Sequence, residues 1–139
     1  MNSIFSKIVL CGAAVVLLAG CELFVFGTKR SPIIEISQKS SLGAVLLFKA
    51  ELDSNNTMAA TEILAGKDGR KLLAIEKRDM VDEIARIGRL ISKKPITRLF
   101  ADTLTPDKHS VLLELNYLKK MTFSTLRINS AWYITDIQE

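Results

Sequence analysis

The chain has 139 residues, 48% apolar and 24% charged, with a formal net charge of +4, two cysteines and one histidine. That length suits one domain, and charges of both signs alternate, as in Glu76-Lys77-Arg78-Asp79, which describes a solvated mixed surface rather than a nucleic-acid patch. With His109 as the only histidine, a zinc site built mainly from imidazole is excluded, and so is a Ser-His-Asp arrangement that does not use His109.

The first element is a secretory signal. Lys7 precedes an apolar run over residues 8–19, and small residues follow it, the pattern of a cleaved leader. The run is about 12 residues long, against the roughly 20 that a bilayer-spanning helix needs. Leu18-Ala19-Gly20-Cys21 resembles a bacterial lipobox. The resemblance implies cleavage between Gly20 and Cys21, a diacylglycerol on the Cys21 thiol, and acylation of the freed amine with a palmitate-type chain. It implies a secreted protein held to the membrane by its lipid. Glu22, where an Asp often signals inner-membrane retention in Gram-negative lipoproteins, favours the periplasmic face of the outer membrane. One acyl chain holds only marginally, and two or three hold durably. On that resemblance Cys11 leaves with the signal peptide 1–20 and Cys21 carries the lipid, which would leave the folded domain without a disulfide, a thiol nucleophile or a thiolate metal ligand.

Residues 21–40 read as a tether. Phe24-Val25-Phe26 is expected to dock on the domain as a short strand, because Ile33, Ile34 and Ile36 continue its apolar character. The domain follows over 41–139. A first helix is expected over 41–53, capped by Ser40 or Ser41, with Leu42, Val45, Leu46, Phe48 and Leu52 on one broad face. Asp53-Ser54-Asn55-Asn56 ends it. Asn55 or Asn56 caps a second helix over 57–65, stopped by Gly66, with Met58, Ile63 and Leu64 as its apolar side. The third helix, 72–92, carries a stripe of Leu73, Met80, Ile84, Ile87 and Ile91. Asp82 lies four residues from both Arg78 and Arg86 on its outer face.

The apolar period then changes to two. A short strand is expected over 96–101, before the turn at Thr105-Pro106-Asp107-Lys108. Val111, Leu113, Leu115 and Tyr117 alternate with Leu112, Glu114, Asn116 and Leu118 in the next. A strand over 121–128 changes apolar parity between Phe123 and Leu126, which predicts a bulge near Ser124-Thr125. Asn129-Ser130 makes a turn, and Trp132, Tyr133, Ile134 and Ile137 form the last strand. Helices first and an antiparallel meander afterwards make an α+β domain, with the N-terminal helices packed on a curved antiparallel sheet.

The long first helix, Asp53-Ser54-Asn55-Asn56, the short helix Ala59-Ala60-Thr61-Glu62-Ile63-Leu64 and the closing Trp132-Tyr133-Ile134-Thr135-Asp136-Ile137 resemble the nuclear-transport-factor-2-like, or cystatin-like, superfold. Small bacterial lipoproteins of unknown function are built on that cone. Isomerases and dehydratases of the superfold use an Asp or a His in the cone, often beside a Tyr. The resemblance thus nominates Asp102, His109, Tyr117 and Asp136 as a catalytic alternative. A buried carboxylate there would have a raised pKa and act as a base, with Tyr117 donating to an enolate-like oxygen.

The residues themselves favour a different reading. Asp102 and His109 flank the Pro106 turn and should face water, Asp136 suits a solvent-facing place in the last strand, and Tyr117 and Trp132 suit the core. No catalytic residue, cofactor or metal is assigned. The expected function is a non-enzymatic binding or accessory module of the cell envelope. Its partners are the membrane, through the lipid anchor, and an envelope protein or apolar ligand, with no nucleic acid. Leu112 and Leu118, opposite Val111 and Leu113, form the candidate binding surface together with Trp132.

Overall fold

In the computed structural model, residues 33–139 are described. The expected signal peptide, the expected Gly20–Cys21 cleavage junction and Phe24-Val25-Phe26 lie outside them. The compact unit begins at Ile34. It is an α+β domain: three helices, α1 (Ser41–Asp53), α2 (Thr57–Glu62) and α3 (Ala74–Ile91), precede four strands. These are β1 (Ile96–Thr105), β2 (Lys108–Leu115), β3 (Lys119–Ile128) and β4 (Ala131–Gln138), in an open antiparallel sheet of order β1-β2-β3-β4.

α1 is the helix laid directly on the sheet, touching all four strands, while α3 packs on α1 and α2. Covered on two sides, α1 buries residues nearly all round, from Ser41 and Ala44 to Phe48 and Leu52, as expected of a sandwiched helix. Even Lys49 is 5% exposed. Its ammonium is neutralised by Asp53 at 2.7 Å, and Asp53 also accepts from the Lys93 backbone N–H at 2.7 Å. The pair therefore ties the end of α1 to the residue just past α3. Ser40 caps α1 through its hydroxyl and Asn56 caps α2 through its side-chain oxygen, each satisfying an orphan helical N–H.

The chain before α1 is part of the domain from Ile34 onward. A Cβ on Gly43 would lie 2.4 Å from the Ser37 carbonyl and 2.5 Å from that of Glu35, so only glycine lets this segment cross the first turn of α1. Gln38 then accepts from the Trp132 backbone N–H at 2.8 Å and donates to the Trp132 carbonyl at 2.9 Å. Ile33 and Ile36 are exposed, so the Gln38 hydrogen bonds to the Trp132 backbone, and not those apolar side chains, dock this segment.

The second helix stops at Glu62, three residues short of the expected end. Residues 63–65 leave it to run beside β4: Ile134 donates to the Ile63 carbonyl and Ala65 to the Ile134 carbonyl, both at 2.9 Å. Two strand-type hydrogen bonds and burial of Ile63 and Leu64 outweigh one more helical turn. Met58, expected on the apolar side, is exposed. The turn 66–71 folds over the far face, where a Gly69 Cβ would touch Leu126 and the Lys71 ammonium lies 5.3 Å from the Tyr133 ring centroid.

α3 begins two residues later than predicted. Leu73 is its exposed N-cap rather than part of the buried stripe; Ile84, Ile87 and Ile91 carry that stripe. Glu76 accepts from the Leu73 N–H at 2.8 Å and from Arg70 at 2.7 Å. The Arg70 guanidinium, and then the Leu73 N–H, hold the Glu76 carboxyl down to about 2, from an ordinary 4.5. Its depressed value contributes stability above about pH 4.5, lost as pH falls toward 2. Glu76→Gln should accordingly be less stable than the parent at pH 7, with the gap closing between pH 4.5 and 2. Denaturant midpoints across that range check it, and a gap that persists unchanged at pH 2 contradicts it. Arg86 pairs with Glu83 and Glu139, both at 2.7 Å, rather than with Asp82.

In the sheet, Val111, Leu113, Leu115, Met121, Phe123 and Thr125 point inward and are buried. β1 runs four residues past its expected end, to Thr105. The register breaks between Ser124 and Thr125, as the parity change predicted, but Thr135 of β4 is the extra residue. β3 itself keeps its alternation, and Leu126 simply points outward beneath the turn 66–71. Asn129 and Ser130 both take left-handed conformations, φ 49° and 68°, giving the two-residue hairpin whose twist matches the strands.

Candidate functional site: a groove between α3 and β4

α3 and β4 diverge to leave a groove of about 240 Å³. Ile84 and Ile87 of α3 and Ile134 of β4 form its floor, and Met80 and Ile137 its walls. Glu83 and the Lys67–Asp136 ion pair, 2.8 Å between charged atoms, stand on the rim. The Lys67 ammonium, and then the Gln138 amide, hold the Asp136 carboxyl below the usual carboxylate range. That is opposite to the raised value a catalytic base there would need. The volume is below the roughly 300–1,000 Å³ of small-molecule sites, so the groove suits one apolar side chain or the end of an acyl chain better than a whole metabolite. Every buried side-chain nitrogen and oxygen among the described residues has a hydrogen-bond partner, so no orphaned polar group points at a ligand.

The structure does not gather the nominated acid–base residues. Asp102 on β1 lies opposite Ser110, Ser110 opposite Ser124, and Ser124 opposite Asp136 on β4. The two carboxylates thus stand at opposite edges of the outer face, three strand spacings or about 14 Å apart. Tyr117, expected in the core, is 80% exposed. β2 ends at Leu115, and Asn116 and Tyr117 turn left-handed, φ 52° and 60°. The Pro95 carbonyl and Thr97 hydroxyl accept their N–H groups, which carries the ring out of the sheet's alternation.

His109 does not simply face water. It is half-buried on the inner face, its Nδ1 2.8 Å from the Ser41 hydroxyl and its ring 4.3 Å from the Trp132 ring. Ser41 is 4% exposed at the start of α1, so its oxygen is closed to a substrate, and the contact pins α1 to β2. Ser41 was not singled out in the sequence: it stands 68 residues from His109, and no local pattern links them.

Of the candidate surface residues, Leu118 is 88% exposed in the β2–β3 turn and Leu112 is half-buried on the outer face opposite Phe100. Trp132 is 5% exposed within the core and cannot belong to a surface. Reasoning from sequence missed the groove residues Met80, Ile137 and Lys67 as a set, since they come from three elements. No family model and no curated protein matches the chain.

Proposed function

We propose that this chain is a lipid-anchored lipoprotein of the cell envelope whose domain binds or docks without chemistry of its own, on a plan like the nuclear-transport-factor-2-like cone. The observation that carries the reading is Leu18-Ala19-Gly20-Cys21 behind a short apolar run. The domain itself supplies contact surfaces: the apolar groove between α3 and β4 and the exposed Leu118. The separated Asp102, Tyr117 and Asp136 do not form the converging acid–base pair that the catalytic alternative requires. On the anchor reading, Cys21→Ser should abolish incorporation of labelled palmitate and leave an unprocessed or soluble form. A Cys21→Ser chain that still takes up palmitate and fractionates with membrane refutes the anchor.

A further inference from the structure

β1 has a free edge. No described strand lies on its outer side, whereas β4 is covered by residues 63–65 and Gln38. An unpaired edge offers a row of backbone N–H and C=O groups to another strand. Register shifts between Ile96 and Arg98 and between Thr103 and Thr105 interrupt β1 at both ends. Such bulges are a usual protection of edges, but here they leave a regular stretch over 98–103. Its outer-face residues are Arg98, Phe100 and Asp102, all exposed. Neither charge forms an ion pair among the described residues.

Cation, aromatic and anion at every second residue are self-complementary when reversed. We propose that β1 is a homodimerisation edge, pairing antiparallel with β1 of a second copy about a two-fold axis through Phe100. Directly opposed residues in such a pair share a face, with Cβ atoms about 4.5–5.5 Å apart. Arg98 then meets the partner subunit's Asp102, Asp102 meets the partner subunit's Arg98, and the two Phe100 rings meet at the axis. On the inner face Leu99 meets the partner subunit's Ala101. A slip of two residues in either direction sets Phe100 against a charge and carries the other charge beyond the regular stretch 98–103, opposite an interrupted end of the strand. A slip of one opposes unlike faces. The charges therefore specify one register, and an isologous contact closes at two copies. This inference stands on the sheet alone and does not depend on the lipid anchor.

The test uses purified full-length chain in detergent, carrying two different tags, with capture of one tagged copy by the other as readout. The parent should capture itself. Arg98→Asp and Asp102→Arg should each lose self-capture at least tenfold, because each sets like charges opposite one another. An Arg98→Asp copy mixed with an Asp102→Arg copy should recover capture, since both ion pairs re-form, and so should the double reversal with itself. All three variants should melt like the parent, because both side chains are exposed. A parent chain that stays monomeric overturns the proposal, even if some other strand occupies the edge. Capture indifferent to single reversal, or lost singly and not recovered in the mixture, overturns it as well.

Discussion

Phe48→Ala should destabilise the domain by about 3–5 kcal/mol, the range for truncating a fully buried aromatic. Phe48 is 0% exposed on the helix that, among the described residues, touches every strand, and its ring meets Phe123 edge-on with centroids 6.0 Å apart. Truncation removes that aromatic contact and opens a cavity beneath the middle of the sheet. Ser41–His109 ties α1 to β2 at one end, and Asp53, accepting from the Lys93 N–H, ties it to the segment after α3 at the other, which restrains α1 from closing on the space. Denaturant titration of the parent and variant checks the value. A loss below about 1 kcal/mol would mean that the interior relaxes freely and that α1 is not the keystone between sheet and α3.

The second large effect is expected on α3. Ile84→Ala should cost about 2–5 kcal/mol, since Ile84 is 1% exposed in the core cluster. Glu83→Ala, its neighbour on the outer side, removes only an exposed ion pair with Arg86 and should stay within about 0.5 kcal/mol. Equal losses at the two positions would refute the assigned face of α3. Ile84 also floors the groove, so the pair of variants reports the packing on which that groove depends.

Much of this fold was readable along the chain, where the physics is local. Period-two alternation marked β2 and its buried face, and the capping residues before 41 and 57 marked the starts of α1 and α2, with Ser40 and Asn56 the caps used; the register break lies at the expected Ser124-Thr125 position, but its extra residue is on β4 and not on the strand whose parity suggested it. What escaped was set by partners distant in sequence. Residues 63–65 look helical until Ile134 offers them hydrogen bonds. Trp132, read both as a core residue and as a surface candidate, is placed in the core, where its ring meets that of His109 on β2. Tyr117 continues an alternation that the turn at Asn116 has already ended. The groove was illegible for the same reason: Met80, Lys67 and Ile137 are ordinary residues on three separate elements, and only their packing makes a concave surface. Asp102 is exposed at the sheet's outer face, as its place beside the Pro106 turn predicted.

Complementation of a deletion strain tests most directly whether the domain acts by contact rather than by chemistry. Tyr117→Phe should restore function fully. Met80→Glu on the groove wall and Leu118→Glu in the exposed turn place charge on apolar contact surface, and at least one should abolish function while the purified domain melts within a few degrees of the parent. Loss of function from Tyr117→Phe with unchanged melting, and full activity from both charge substitutions, would contradict the binding account and return the catalytic one.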